Sequence, residues 1–293
     1  MWKVVRHRSI LLHGPAAAVL QIAHPRVGLG VMEHSRFEES PLDRLERTLS
    51  AVYDIAFGTI EEAQAAADRV RRRHRTVNGD AARHAVPGEP SYSAGEIELL
   101  MWVVATLVWS GIGGYERTVG PLDVGEKERY YHDMRVLGTY FDLPVTYGPQ
   151  TYQEYEAYFD RIISDPLIGA HAVSRRVAWA VARPRTPWWF RLSAPSITFI
   201  FSQIIPPPVR DRLGFEPTLV SRIALAHATT ALRLFNRFAP RRLRLVPQYL
   251  DALAALLRCG DEDAPPDPSG RRSTRQPAHL GRDHRLDHER RVA

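Results

Sequence analysis

The chain has 293 residues, of which 44% are hydrophobic and 25% are charged, a composition that suits a globular protein with a substantial core. Its formal net charge is +6, and because Cys259 is its only cysteine, one chain can form neither a disulfide framework nor a thiolate metal site. Part of the positive charge lies in residues 261–293, which have few large apolar side chains and are predicted to form a disordered basic tail. The charge therefore gives little support to nucleic-acid binding.

Two apolar segments resemble membrane or secretion signals. The N-terminal sequence MWKVVRHRSILLHGPAAAVLQIA has the basic and apolar regions of a signal peptide, but His13, Gly14 and Pro15 interrupt it, and Pro15 suits the first turn of a helix. The apolar run at 99–115 is 17 residues long, short of the roughly 20 that a membrane span needs, and is predicted to be a buried core helix. The sequence therefore predicts no transmembrane span and, with its lone cysteine, a cytoplasmic location; peripheral membrane contact stays open.

Helix start signals recur along the chain. Capping patterns at 59–62, 93–96, 123–126 and 151–154 predict helix N-termini, as does the Ser-Pro-Leu-Asp sequence at 40–43. No convincing strand pattern or internal repeat is present. We therefore predict an all-α fold, a single multi-helix domain over residues 8–260.

The segment RVRRRHRTVNG, residues 69–79, combines five arginines with His74. On a helix predicted over 60–78, His74 shares a face with Ala63, Ala67, Val70 and Val77, whereas most of the arginines lie on the solvated side. His74 is then either a core histidine with a hydrogen-bond partner or an axial ligand of haem iron. The alanine-rich face would let a flat group approach the helix.

Two further segments contain candidate site residues. In residues 41–59, Arg44 and Thr48 are neighbours on one helix face, where an arginine could bind an anionic group or extend from the rim to solvent. In residues 14–37, Gln21 and His24 end an apolar helix before Pro25. His24 either stabilises that helix end or reaches a binding site.

In order along residues 8–260, these motifs resemble the haem-dependent oxygenase family of the latex clearing proteins (rubber oxygenases) and the fungal mycophenolic acid pathway oxygenase. The matching segments are GPAAAVLQIAHPRVGLGV, DRLERTLSAVYDIAFGT, RVRRRHRTVNG, LLMWVVATLVWSGIGGYERTVGPL and YYHDMRVLGTYFDLP.

The resemblance implies an all-α fold with a globin-like core and haem b as the cofactor. It implies that His74 ligates the haem iron and that Arg44 and Thr48 lie close to the haem, as candidates for both cofactor binding and catalysis. Arg71, at the flank of His74, becomes a candidate partner for a haem propionate, and His24 becomes a candidate catalytic residue. Arg47 stands where some latex clearing proteins have an iron-ligating lysine, but a guanidinium is a poor metal ligand.

The family activity implied is the cleavage of a carbon–carbon double bond by O₂ in an apolar, isoprenoid-like olefin, with Tyr53, Phe57, Trp102 and Trp109 available as an aromatic lining. One departure is Val104, where the family often has histidine in a W-x-H-A-T sequence. A haem carrier or sensor without turnover is therefore an alternative. A nucleic-acid or membrane-surface binder that uses the arginines of 69–75 and the tail is another.

Overall fold

The computed structural model describes residues 1–35, 41–86, 91–182 and 201–262, and at 41–47, 182 and 259–262 it describes the backbone only. Those residues contain thirteen α-helices and one small two-stranded sheet. The predicted all-α fold is confirmed.

The first part of the chain is a series of short and medium helices. Two of them, α2 and α3, follow one another with only His24 between them. The elements in order are α1 (Trp2–Val5), a 3-10 helix (Arg8–His13), α2 (Gly14–Ala23), α3 (Pro25–His34), α4 (Pro41–Phe57) and α5 (Ile60–His74).

A hairpin separates this part from longer helices. Strands β1 (Asn78–Asp80) and β2 (Ser91–Ser93) pair antiparallel with Gly79 opposite Tyr92, and a 3-10 turn (Ala82–His84) follows β1. The remaining helices are α6 (Ile97–Thr118), α7 (Val124–Thr139), α8 (Tyr152–Ser164), α9 (Ala172–Ala182), α10 (Pro207–Leu213), α11 (Leu219–Phe238), α12 (Arg241–Arg244) and α13 (Pro247–Glu262).

The predicted helix starts are confirmed in part. Thr59 and Asp123 form complete capping boxes with Glu62 and Glu126. At α8, Thr151 accepts a hydrogen bond from the Glu154 amide, but the Glu154 carboxylate accepts from Gln150 instead of closing the box. The prediction was wrong at 93–96, because Ser93 ends β2 and α6 begins only at Ile97.

The end of α5 also differs from the prediction. The helix ends at His74, and Asn78 and Gly79 belong to β1 rather than to the helix or its stop. The sequence predicted no strands, and this prediction was wrong for this segment, although the two strands are only three residues long.

Helix α6 is the centre of the core. It packs against the first 3-10 helix, α2, α7 and α11, and residues such as Trp102, Ala105 and Val108 are fully buried. By length and composition it is also the one helix in the described ranges that could cross a membrane, but 61% of its most apolar window is buried inside the structure. This burial agrees with the predicted core helix.

The chain divides into two compact units, Met1–Ala254 and Ala255–Ala293. The first contains all the elements from α1 to α12 and the start of α13. Of the second, the structure describes the end of α13, up to Glu262. The predicted tail at 261–293 lies outside the described residues from 263 onward, so its disorder stays a prediction.

Candidate active site

On helix α5, the arginines and the small residues lie on different faces. Its first turn is fixed by the Thr59–Glu62 capping box, in which the Glu62 amide donates to Thr59 Oγ1 at 3.3 Å and the Thr59 amide donates to Glu62 Oε2 at 2.8 Å. The alanines of one face are buried, and the arginines on the other faces are exposed, as the helical phase predicted. The buried residues are Ala63, Ala66 and Ala67, and the exposed ones are Arg69, Arg72 and Arg73.

His74 is the last residue of α5 and is half-buried. Its imidazole makes no hydrogen bond to any residue in the described part of the chain. Burial lowers its pKa below the ordinary value. His74 is therefore a neutral imidazole at pH 7 with a ring nitrogen lone pair that no described residue uses, which is the form in which histidine ligates metals.

The residues after His74 are held by close contacts. A Cβ atom on Gly79 would lie 2.7 Å from the hydroxyl of Tyr92, so only glycine fits beside this buried ring. Val77 contacts α3, because a Cβ on Gly30 would lie 3.3 Å from Val77 Cγ1. The H-x-x-V-x-G pattern therefore describes a histidine at a helix end and the two contacts that fix the chain behind it.

Arg71 lies on the flank of His74, one turn before the helix end. Its guanidinium forms ion pairs with Asp68 and with Asp142, the latter at 3.3 Å, and donates to the Tyr140 carbonyl at 3.2 Å. These partners raise its pKa, the Asp68 hydrogen bond being the largest cause. A haem propionate would have to share this guanidinium with two carboxylates.

Helix α4 packs against α5 and carries the other predicted cofactor residues. Arg44 lies in its first half, and its side chain, like that of Arg47, lies outside the described part of the structure. Thr48 is exposed. The backbone thus places Arg44 and Thr48 one turn apart on the helix that neighbours the helix of His74.

His24 occupies the joint between α2 and α3. Its Nδ1 is buried and has no hydrogen-bond partner in the described ranges, and its ring centroid lies 6.5 Å from that of Trp102. Burial, followed by the charge of Arg26, lowers the pKa of His24 to about 4, against a smaller opposing effect of Asp165. Like His74, His24 is a neutral imidazole with a ring nitrogen that no described residue engages. The structure gives no direct contact between the two histidines.

Most of the aromatic residues proposed as a lining are core residues. Trp102 is 1% exposed and stacks on Phe159 with an interplanar angle of 16°, and Trp109 stacks on the same ring at the same angle. Phe57 packs edge-on against Trp2 and Tyr249. Val104 is likewise buried in the core cluster. A histidine in place of Val104 would lie among apolar side chains.

The sequence analysis missed two polar clusters. His13 is 2% exposed, and its Nε2 accepts a hydrogen bond from Arg117 Nε at 3.2 Å. The second cluster follows the end of α5: Glu33 accepts hydrogen bonds from the Tyr92 hydroxyl and from His84, the latter at 2.7 Å, and His34 lies 3.1 Å from that hydroxyl. The Tyr92 hydrogen bond is the main cause of the lowered pKa of Glu33. Neither cluster had a signal in the sequence, because each joins residues that are far apart along the chain.

Neither a cluster of metal-binding side chains nor a cavity lined by predicted site residues marks a second site in the described residues. No group of three or more His, Cys, Asp or Glu side chains in the described ranges could hold a metal ion. A cavity of about 480 Å³ lies between the loop at Tyr147, Gly148 and Pro149 and the helix α8, and none of the predicted site residues lines it. A haem needs only one protein ligand, so a single histidine such as His74 suffices for it.

The fold and the candidate site define an all-α domain with neutral histidines at helix ends that have no hydrogen-bond partner for a ring nitrogen among the described residues. A family model described as the ER-bound oxygenase mpaB/B'/Rubber oxygenase, catalytic domain, matches residues 2–234, which is 233 of the 293 residues. The chain belongs to this family and is an oxygenase catalytic domain, hence an oxidoreductase that uses O₂ and a small-molecule substrate. No curated protein and no solved structure matches the chain significantly. The globin-like arrangement of the core stays a prediction.

Proposed function

We propose that the protein is a haem b-dependent oxygenase in which His74 is the protein ligand of the iron. The observation that supports this most is the state of His74, a half-buried, neutral imidazole without a hydrogen-bond partner in the described residues. Because no described side chain or carbonyl binds this imidazole, its ring nitrogen is available to a metal ion.

The residues around His74 fit a planar cofactor. The buried side chains on the same face of α5 are alanines, whose small size would let a flat group lie close to the helix backbone. Haem, when bound, would supply the O₂ chemistry, whereas the protein would supply the ligand, the polarity of the site and the access to it. Arg44 and Thr48, on the neighbouring helix, are proposed to bind the anionic edge of the cofactor or to orient O₂.

His24 is proposed to act on the substrate side. Because its pKa is about 4, it is neutral at pH 7 and can hold or accept a proton at the ring nitrogen that no described residue engages.

Arg71 is the weakest of the proposed cofactor residues, because Asp68 and Asp142 already neutralise it. The chain has a single cysteine, Cys259, which supports a cytoplasmic location; that location stays a prediction.

The test of haem binding is an absorption spectrum of the purified protein before and after dithionite. We expect a Soret band that His74→Ala removes. His132→Ala is the matched control, because His132 is an exposed histidine on α7, and this variant should keep the band. Wild-type protein that is purified colourless and retains no added haemin after gel filtration would exclude the proposal.

We further propose that the substrate is an apolar, isoprenoid-like olefin and that one C=C bond and one O₂ molecule give two carbonyl groups. Incubation with isoprenoid olefins under ¹⁸O₂ should give carbonyl products that each carry one labelled oxygen. The buried Val104, in place of a histidine, favours the alternative of a haem carrier or sensor. A haem-loaded protein that releases no product from any olefin tested would support that alternative.

A further inference from the structure

Helix α11 exposes an apolar surface to solvent. Only one side of this 20-residue helix is buried, through Ser221, Leu225 and Asn236. Five large apolar side chains are exposed by 47–75%: Leu219, Val220, Ile223, Leu234 and Phe238. Exposure of single apolar residues is ordinary, but a cluster of this kind on one helix marks an interaction surface.

The exposed residues share one side of the helix and form a group at each end of it, with the exposed polar residues His227 and Thr230 between the two groups. At 100° per residue, the five apolar side chains fall within an arc of about 100°, and the buried side of the helix lies opposite that arc. Leu243 on α12, the next helix along the chain, is a further exposed apolar side chain, at 58%. We call this set of six residues the α11 face.

Arginines border the α11 face. Residues 219–244 contain six arginines and no aspartate or glutamate. Arg222 and Arg237 are exposed at the edge of the face and have no carboxylate partner in the part of the chain that the structure describes. Arg233 and Arg244 donate to the carbonyls of Arg117 and Asn236, at 2.8 and 2.9 Å, so their charges are positioned but not neutralised.

We propose that the α11 face binds the surface of an anionic lipid membrane. A helix that lies in a membrane interface buries its apolar side chains at the headgroup boundary while its arginines contact anionic headgroups. A second copy of this chain could cover the apolar residues but would bring two sets of uncompensated arginines together. A nucleic acid would neutralise the arginines but would leave the leucines and Phe238 without a partner. A lipid surface satisfies both features.

The test is flotation of the full-length protein with vesicles of phosphatidylcholine alone or with about 30% phosphatidylserine. We expect binding to the anionic vesicles only. Phe238→Ser should weaken this binding by about tenfold, because it removes a large apolar anchor. The double variant Arg222→Gln/Arg237→Gln should weaken it by roughly 30-fold, since each arginine near an anionic surface contributes about a fivefold factor.

Val124→Ser is the matched control. Val124 is 80% exposed at the start of α7, away from the α11 face in sequence, and its loss should leave vesicle binding unchanged. The basic tail is intact in every variant, so binding that survives both α11 substitutions would assign the lipid contact to another part of the chain and overturn the proposal. No flotation with either vesicle, or self-association that Phe238→Ser abolishes, would also overturn it. The proposal does not depend on haem binding. We therefore expect these variants to keep the circular dichroism spectrum and the Soret band of the wild-type protein.

Discussion

Substitution of Gly79 by alanine tests how the chain behind His74 is held. The new Cβ would lie 2.7, 2.8 and 2.9 Å from the Oη, Cε1 and Cζ atoms of Tyr92, a ring that is only 2% exposed. Such overpacking costs about 1–3 kcal/mol. Alanine also reduces the entropy of the unfolded chain, which stabilises the protein by about 0.4–1 kcal/mol. The clash is the larger effect, so we expect net destabilisation.

Gly95→Ala provides the matched comparison. Gly95 lies just after β2, and a Cβ there would have its nearest neighbour at 3.7 Å, the hydroxyl of Ser93. The entropy effect of alanine is common to both variants, so their difference in the free energy of unfolding, measured by urea denaturation, isolates the clash at about 1–3 kcal/mol. Equal stability of the Gly79→Ala and Gly95→Ala proteins would refute the reasoning. If His74 binds haem, Gly79→Ala should also lower haemin affinity, because it displaces the turn behind the ligand.

Three other predictions concern the supports of the fold. Thr59→Ala removes the N-terminal cap of α5 and should cost about 0.5–2 kcal/mol in urea denaturation, whereas Thr59→Ser should retain most of the stability. Asn236, 4% exposed, donates to Ser9 Oγ at 2.7 Å, and Asn236→Ala should cost about 1–3 kcal/mol by leaving buried partners without a hydrogen bond; a cost below about 0.5 kcal/mol would contradict this. Burial, followed by the charge of Arg117, lowers the pKa of His13 to about 3 from an ordinary value of 6.5. The unfolded chain therefore binds a proton over that range while the folded chain does not, so stability is lost as the pH falls from about 6.5 towards 3, by at most about 1.4 kcal/mol per pH unit for this histidine. His13→Gln should reduce that pH dependence of the urea midpoint, and an unchanged slope would count against it.

Local signals predicted much of the helical structure. The capping boxes of α5 and α7 were correct because each is closed by residues three positions apart. At 93–96 only half of the pattern forms: the Glu96 carboxylate accepts from the Ser93 amide, but Ser93 Oγ accepts from the Gly95 amide rather than that of Glu96, and the helix begins at Ile97. There, Glu96 pairs with Arg26 of α3, and Ser93 pairs with Asn78 across the hairpin. A sequence window of four residues contains neither partner.

In the candidate site, too, local features could be predicted from the sequence and long-range contacts could not. Helical phase was sufficient to separate His74 from the arginines on α5, because all of them lie on one regular element. Phase could not show that Arg71 is already paired with Asp142, which is 71 residues away. Nor could it place His13 beside Arg117, since that contact joins two elements 104 residues apart.

The loop-free joint between α2 and α3 has a mechanical consequence. The Ala23 carbonyl at the end of α2 accepts hydrogen bonds from the Gly169 amide at 2.8 Å and from Ser174 Oγ at 3.2 Å, which fixes the joint where His24 lies. Gly30, about 9 Å along α3 from His24, bears on Val77 in the turn that follows His74. Helix α3 thus connects the joint at His24 to Val77, which lies in the turn behind His74. A rigid tilt of α3 would therefore move both the joint at His24 and the turn behind His74.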